Sequence, residues 1–239
     1  MNDEVTYIKQ KISELEIDVD KGQAEQLFQY YRLLIEWNQY MNLTAITDFQ
    51  EVVEKHFIDS LSIVFVQDMQ SAESVIDVGT GAGFPGIPLK IAFPHLKMTL
   101  LDSLQKRITF LDHVISELGL KEVEAIHGRA EDFAKPGFGR EKYDLCVSRA
   151  VANLSTLSEY CLPFVKIGGS FVSYKSKEAE QELDKAKNAI FLLGGRTEEC
   201  KSFGLPGTDI SRTLVKIRKV SGCPKKYPRK SGTASRSPL

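Results

Sequence analysis

The chain has 239 residues, of which 42% are hydrophobic and 26% charged, a composition typical of a globular protein with a buried core. No apolar run approaches the roughly 20 residues that cross a bilayer, and the opening Asn2-Asp3-Glu4 is unlike a signal peptide. The four cysteines are dispersed, without a C-x-x-C pair. The cysteine pattern favours a reduced, cytoplasmic protein without a disulfide framework, and it predicts no metal site. Because no apolar run could cross a bilayer, no membrane partner is predicted either.

Charge is segregated along the chain, although the net charge is only −1. Residues 1–77 carry 5 Lys/Arg against 15 Asp/Glu, whereas residues 212–239 carry 9 basic residues and no acidic one. A basic end of this kind is typical of contact with a polyanion. It is equally typical of a solvated, frayed terminus.

Residues 1–70 are predicted to form a helical cap. Apolar side chains recur at i, i+3 and i+4 spacing over residues 27–35, which indicates one buried helix face. A second helical stretch is predicted over residues 51–66, and Thr47 or Asp48 is placed to cap it.

Beyond Ser71 the pattern changes to short β-branched runs that alternate with helices, which predicts a mostly parallel sheet. The predicted parallel strands cover residues 74–78, 97–101, 123–126, 143–147 and 170–174, and the clearest helices cover 105–118 and 178–193. Two further strands, 196–203 and 212–219, are joined by a turn and should form an antiparallel hairpin at one sheet edge. The expected organisation is a cap (1–70), an α/β domain with a seven-stranded sheet (71–220) and a basic tail (221–239).

A glycine-rich turn follows the first predicted strand. Residues 75–86 read Val-Ile-Asp-Val-Gly-Thr-Gly-Ala-Gly-Phe-Pro-Gly, with Gly79, Gly81 and Gly83 between strand and helix. Asp102 ends the second predicted strand, where a carboxylate can accept both hydroxyls of a ribose. The combination predicts a site for an adenosine-containing ligand.

Two cofactors remain possible for this turn. Residues 81–86 satisfy G-x-G-x-x-G, which leaves an NAD(P)-dependent oxidoreductase as the alternative. Asp77 stands two residues before the first glycine, where its charge would repel a pyrophosphate but complement an ammonium and a sulfonium. S-adenosylmethionine is therefore favoured. A third hypothesis, an RNA-binding module that has lost activity, is opposed by the intact glycines and acids of the turn.

The segment Asp77-Val-Gly-Thr-Gly-Ala-Gly-Phe-Pro-Gly-Ile-Pro-Leu89 resembles the signature of the bacterial 16S rRNA guanine-N7 methyltransferases (RsmG, or glucose-inhibited division protein B, GidB). Further similar segments are Asn42-Leu-Thr-Ala-Ile, Lys55-His-Phe-Ile-Asp-Ser-Leu61, Leu101-Asp-Ser-Leu, Arg129-Ala-Glu131, Ser148-Arg-Ala150, Arg212-Thr-Leu-Val-Lys216 and Tyr227-Pro-Arg-Lys. The chain departs from the family at Ala234, where a proline is usual. The resemblance implies a class I (Rossmann-like) S-adenosylmethionine methyltransferase fold. It also implies methylation of guanosine 527 in the 530 loop of 16S rRNA, with 16S rRNA or the small ribosomal subunit as partner.

The resemblance also implies a donor site. Its expected residues are Asp77, Gly79, Gly81, Gly83, Phe84, Asp102, Ala130, Glu131 and Arg149. Gly79 and Phe84 would contact the donor, and Ala130 and Glu131 would lie beside the adenine. From the sequence alone, Glu131 is equally a helix N-terminal charge, and Arg149 is also compatible with a surface ion pair.

No catalytic acid or base is predicted, because guanine N7 carries a lone pair and no proton, so its methylation needs positioning alone. The candidates near the target are Arg149, His56 and Lys175. His56 and Asp59 would help to close the cap over the donor or orient RNA, although a packing role is as good an interpretation. RNA contacts are predicted for Arg212, Lys216 and Arg218 on the last strand and for Lys225, Lys226, Tyr227, Arg229 and Lys230 in the tail. In this hypothesis the cations meet phosphates and Tyr227 stacks on a base.

Overall fold

The computed structural model describes residues 3–149, 151–176 and 179–239. Its strands are β1 Ser74–Val78, β2 Lys97–Asp102, β3 Val123–His127, β4 Tyr143–Arg149, β5 Val165–Lys175, β6 Gly195–Gly204 and β7 Ser211–Lys219. They form one seven-stranded sheet in the order β3-β2-β1-β4-β5-β7-β6. Strands β1 to β5 are parallel, and β7 is antiparallel to both β5 and β6. The predicted parallel sheet with an antiparallel edge hairpin is confirmed.

Helices cover both faces of this sheet. The cap contains α1 Asp3–Ser13, α2 Lys21–Met41, α3 Phe49–Val52 and α4 Asp59–Leu61, and the helices after β1 are α5 Gly86–Ala92, α6 Gln105–Glu117, α7 Ala130–Phe133, α8 Leu154–Cys161, α9 Ala179–Leu192 and α10 Thr233–Arg236. Helix α8 is absent from the sequence prediction. The predicted helix 178–193 is described from Ala179 onward, and its first residue, Glu178, lies outside the described residues.

The long cap helix α2 has clear local causes. A capping box begins it: Asp20 Oδ1 accepts a hydrogen bond from the Gln23 backbone N–H, and Gln23 Oε1 accepts one from the Asp20 N–H, each at 2.8 Å. Leu27, Tyr30 and Leu34 form its buried face, as the i, i+3, i+4 spacing predicts. The apolar face of α2 therefore packs against the α/β domain.

The second helical stretch of the cap is irregular. Asp48 caps it as predicted, accepting a hydrogen bond from the Glu51 N–H at 3.0 Å. A π-helix follows over Val53–Ile58, and the stretch ends in a 3₁₀ turn, Ser62–Phe65. His56 lies within this π-helix, whose turn is wider than that of an α-helix. Turns of this kind are frequent at functional sites.

Alternate side chains of the strands enter two separate cores. On one face, Val75 and Leu100 pack with the cap, α5 and α6. On the other, Ile76 and Cys146 pack with α8, α9 and the tail residue Tyr227. The cap and the tail thus share cores with the sheet. Of the helices in the described ranges, none has the length and apolarity needed to cross a membrane.

Candidate functional site

A cavity of about 460 Å³ opens at the carboxyl edge of β1 to β4. This is the edge at which open α/β sheets bind ligands, because the loops that follow the strands diverge there. Of the predicted donor-site residues, Gly79, Gly81, Phe84, Asp102, Ala130, Glu131 and Arg149 line it. Asp77 and Gly83 lie behind the lining residues. The matched segment that ends at Ala150 is described only as far as Arg149.

The glycine turn owes its shape to backbone conformations that side chains disfavour. Gly79 and Gly81 have φ angles of +72° and +62°, in the left-handed region that glycine adopts without strain. A Cβ on Gly79 would also lie 2.5 Å from Val151 Cγ2, whereas one on Gly81 would meet nothing within 4 Å. Gly79 is therefore required for space as well as for backbone conformation.

Asp102 braces the same turn from β2. Its Oδ2 accepts a hydrogen bond from the Gly81 N–H at 2.9 Å, and its Oδ1 accepts one from the Leu104 N–H at 2.9 Å. Arg107 Nη1 lies 3.1 Å from Oδ2. A carboxylate offers about four acceptor positions, and the Arg107 side chain is 37% exposed. Asp102 can therefore accept a further polar group from the cavity if Arg107 moves aside.

Asp77 lies beneath the turn. Its side chain is completely buried, and Oδ2 accepts hydrogen bonds from Thr80 Oγ1 at 2.7 Å and from the Gly86 N–H at 2.9 Å. Burial raises the pKa of Asp77 to about 7, against the lowering effect of these two hydrogen bonds. Within the part of the chain that the structure describes, Oδ1 has no hydrogen-bond partner. Asp77 thus fixes the turn, and its contact with a cationic ligand stays a prediction.

The cap closes on the turn from above. Tyr30 Oη donates a 2.5 Å hydrogen bond to the Ala82 carbonyl. A Cβ on Gly83 would lie 2.9 Å from that same Tyr30 oxygen and 2.7 Å from Ile87 Cγ1. Gly83 therefore permits close packing of cap and turn and does not face the cavity.

Three predicted residues meet at one wall of the cavity. The His56 and Phe84 rings stack with centroids 4.5 Å apart, and the Arg149 Cζ lies 5.1 Å from the Phe84 centroid. That distance is suitable for a cation–π interaction. His56 from the cap and Arg149 from β4 thus both contact the Phe84 ring.

Asp59 joins the cap to two strands through a buried ion-pair network that the sequence prediction did not include as a site. Its side chain is 3% exposed; Oδ2 lies 2.8 Å from Arg149 Nη1, and Oδ1 lies 2.8 Å from Arg212 Nε. The similarity of the segment Lys55–Leu61 to the family was the feature of the sequence that pointed to Asp59, but it did not show which cations Asp59 would contact. The network fixes Arg149 between the cavity and the cap.

A second cavity of about 460 Å³ adjoins the first and shares His56 and Arg149 with it. Its further lining residues are Ile46, Lys55, Asp59, Tyr174, Lys175, Ser176, Glu182 and Arg212. Lys175 Nζ donates to the Ala152 carbonyl and to Glu182 Oε2, each at 2.7 Å. Four cations, Lys55, Arg149, Lys175 and Arg212, and two carboxylates, Asp59 and Glu182, line this cavity, so its wall carries an excess of positive charge. The predicted candidates near the target all lie here.

His56 is neutral at this junction. Burial, followed by the charge of Arg149, lowers the pKa of His56 to about 3. Its Nε2 lies 2.9 Å from Thr44 Oγ1, and its Nδ1 lies 3.1 Å from the Lys55 carbonyl. Nδ1 also lies 3.3 Å from Arg149 Nη2. Because a carbonyl only accepts and a guanidinium only donates, these two contacts of Nδ1 favour opposite tautomers of the neutral ring.

The cations predicted on the last strand are spread along the sheet. Arg212 lines the second cavity. Lys216 Nζ donates to the Val66 carbonyl at 2.9 Å and lies 3.5 Å from Glu198. Arg218 pairs with Ser170 in the ladder, whereas Lys175 pairs with Thr213. Only Arg212 of the three is brought to the cavities.

The predicted RNA-binding residues of the tail divide into two groups. Tyr227 is buried at 5% exposure, and the Arg229 guanidinium binds the buried Glu159 carboxylate. These two side chains hold the tail to the domain. Lys225, Lys226 and Lys230 are exposed. Of the predicted RNA-binding residues of the tail, these three face solvent. In the described ranges, no group of three or more His, Cys, Asp or Glu could hold a metal ion.

Comparisons with known proteins were made for sequence and for structure. Residues 23–215 match the family model described as rRNA small subunit methyltransferase G. The chain is 52% identical over 239 residues to the ribosomal RNA small subunit methyltransferase G of Lachnoclostridium phytofermentans, covering 100% of this chain and 98% of the relative. It is 51% identical over 232 residues to the protein of the same name from Alkaliphilus metalliredigens, covering 97% of each.

Solved structures share the architecture at low sequence identity. M. jannaschii TYW2 in complex with AdoMet superposes with a TM-score of 0.56 at 15% identity, covering 74% of this chain and 80% of that one. The methyltransferase complexed with Haloferax volcanii Trm112 superposes with a TM-score of 0.57 at 12% identity, covering 79% and 98%. The fold is that of the class I methyltransferases. By its sequence over nearly its whole length, the chain belongs to the rRNA small subunit methyltransferase G family.

Proposed function

We propose that this protein transfers a methyl group from S-adenosylmethionine to N7 of a guanine in small-subunit rRNA, the guanosine at position 527 of the 16S 530 loop. One observation carries the proposal: the glycine-turn cavity and the cationic cavity adjoin and share the His56 and Arg149 wall. A donor in the first and a nucleotide in the second would meet there. Family membership supports both assignments.

The first cavity suits the methyl donor. The bare backbone at Gly79 allows close approach of the methionine part, and Asp102 retains acceptor capacity for ribose hydroxyls. Ala130 and Glu131 line the wall beyond β3. There they can hold the adenine. Asp77 is buried beneath the turn, with one oxygen that lacks a partner among the described residues, and in its ionised form it makes the local field favourable for a cation. When bound, the donor supplies an electrophilic methyl on a sulfonium.

The second cavity suits a nucleotide. Lys55, Lys175 and Arg212 line it and can neutralise phosphate charge, which gives affinity without base specificity. The neutral His56 does not add a positive charge beside the sulfonium. Guanine N7 has a lone pair and no proton, so these side chains act by holding the base in line with the methyl group and by excluding water.

The exposed lysines of the tail, Lys225, Lys226 and Lys230, add further cations for an RNA backbone. The substrate is 16S rRNA or the small subunit that contains it, which places the enzyme in the cytoplasm. Membership of a methyltransferase family disfavours the two rival functions, an NAD(P)-dependent oxidoreductase and an inactive RNA-binding module.

Thermal-shift titration tests the donor assignment. S-adenosylmethionine and S-adenosylhomocysteine should each raise the melting temperature, because ligands that bind only the folded state stabilise it. NAD should leave it unchanged. Stabilisation by NAD alone would establish the oxidoreductase alternative and overturn the proposal.

A further inference from the structure

The C-terminal segment is tied to the domain from its first residues. The Arg140 guanidinium donates to the Tyr227 carbonyl at 2.7 Å and to the Cys223 carbonyl at 2.6 Å. The Tyr227 ring then packs into the core beneath α8 and α9. We name residues 223–236 the strap, because they run from this anchor across α8 towards the donor cavity.

A buried ion pair anchors the middle of the strap. Arg229 Nη2 lies 2.6 Å from Glu159 Oε2, Arg229 Nε lies 3.0 Å from Oε1, and the Arg229 backbone N–H donates to Oε1 at 2.7 Å. The Glu159 side chain is 1% exposed. A buried bidentate pair with an added backbone hydrogen bond has a well-defined geometry. The residues that follow it are therefore placed accurately.

The strap ends against the wall of the donor cavity. The Gly232 backbone N–H donates to Glu131 Oε1 at 3.0 Å, and Thr156 Oγ1 donates to the Ala234 carbonyl at 3.1 Å. The Ser235 hydroxyl donates to the Gly232 carbonyl at 3.2 Å. Glu131 lines the cavity. The strap thus contacts a residue of the cavity wall through the Gly232 N–H.

We propose that the strap positions Glu131 to recognise the adenine amino group of the donor, an inference that rests on the proposed function. Glu131 belongs to α7, a helix of only four residues, which by itself fixes the carboxylate poorly. The Gly232 N–H engages Oε1, whereas Oε2 accepts no hydrogen bond from the described residues, so this oxygen of a cavity-lining side chain remains for a ligand. A carboxylate oxygen that faces an exocyclic amine selects adenine over a base with a carbonyl at that position.

A truncation separates this role from RNA binding. Ending the chain after Lys230 removes Gly232 and Ala234 but keeps the Arg229–Glu159 anchor and the exposed lysines Lys225, Lys226 and Lys230. We expect the dissociation constant for S-adenosylhomocysteine, measured by calorimetry, to rise about tenfold, as for loss of a hydrogen bond to a charged group. Affinity for 16S rRNA at saturating S-adenosylhomocysteine should fall by no more than a few-fold, because three of the four exposed tail cations remain and only Arg236 is lost.

Base selectivity is the readout that a merely structural role would not change. Wild type should prefer S-adenosylhomocysteine to S-inosylhomocysteine, its 6-oxo analogue, by about tenfold or more. The truncated protein should lose most of this preference. The matched control, K225A/K226A, should show the opposite pattern: RNA affinity and its salt dependence fall, while donor affinity and base preference remain.

Wild-type protein provides a second test that does not depend on the truncated chain folding. Because linkage is reciprocal, saturating S-adenosylhomocysteine should slow amide hydrogen exchange over residues 231–236. The proposal is overturned if exchange there is unaffected, or if truncation leaves both dissociation constants unchanged or raises them equally. Wild type that fails to bind S-adenosylhomocysteine at all would instead contradict the proposed function.

Discussion

Replacing Asp59 by asparagine isolates the charge that joins the cap to the sheet. The substitution keeps the size of the side chain and one carbonyl acceptor, but it leaves the Arg149 and Arg212 guanidiniums without their shared anion. Both contacts are 2.8 Å long, and the two arginine side chains are only 14% and 27% exposed. Water can therefore replace the lost carboxylate only in part.

The magnitude follows from this burial. Removing one partner of a fully buried pair costs about 3–5 kcal/mol. Because Arg212 keeps some access to solvent and asparagine retains one acceptor, we expect the free energy of unfolding to fall by about 2–3 kcal/mol. For a protein of this size, that corresponds to a melting temperature lower by about 4–12 °C.

Thermal and urea denaturation measure the effect. Asp184→Asn is the matched control: its partner Lys187 lies 2.7 Å away, but the two side chains are 74% and 70% exposed, so the change should stay within about 0.5 kcal/mol. A double-mutant cycle with Arg212→Gln should give a coupling of about 1–2 kcal/mol. Equal effects of Asp59→Asn and Asp184→Asn, or no coupling to Arg212, would refute the reasoning.

Four other substitutions probe the turn. Gly79→Ala and Gly81→Ala share the backbone strain of positive φ, but only Gly79→Ala places a Cβ 2.5 Å from Val151. Gly79→Ala should therefore weaken S-adenosylmethionine binding, measured by calorimetry, several-fold more than Gly81→Ala. Equal losses of affinity would exclude the steric argument. Asp102→Ala should weaken donor binding by about 1–3 kcal/mol through lost hydrogen bonds to the ribose, and an unchanged dissociation constant would remove Asp102 from the site. The pKa of Asp77 is raised from 3.8 to about 7 in the fold, so proton binding stabilises the protein fully below pH 3.8 and this contribution is lost as pH rises through 7. Asp77→Asn should therefore gain melting temperature relative to wild type between pH 5 and pH 8, whereas parallel pH profiles would show that Asp77 does not titrate in this range.

The sequence predicted most of the sheet because the pattern is local. β-branched runs, the glycine turn and the hairpin turn each determine structure within a few residues, and the alternation of strands with helices indicates parallel pairing through right-handed crossovers. Residues such as Gly79, Asp102 and Arg149 reach the cavity because they stand at strand ends. The position of these residues along their strands was sufficient to predict that they line the cavity.

What the sequence did not predict depends on contacts between distant segments. Asp59 meets Arg212 across 153 positions, and Glu131 meets Gly232 across 101; no periodicity encodes either pair. The tail was an example of the same problem. Its cations suggested an RNA-binding end, but burial of Tyr227 and pairing of Arg229 with Glu159 depend on a surface that only the folded domain provides. The hydrogen bonds by which Asp77 holds the turn were not predicted for a similar reason, because its burial beneath the turn is a tertiary feature.

Mapping the methyl group on rRNA tests the central claim most directly. Small subunits and 16S rRNA from cells that lack the enzyme would be incubated with the protein and S-adenosylmethionine carrying a labelled methyl group. We predict that the label appears as 7-methylguanine at guanosine 527 of the 530 loop and requires the donor. Label at another nucleotide or another ring atom, or no transfer to either substrate by protein that binds the donor, would contradict the account.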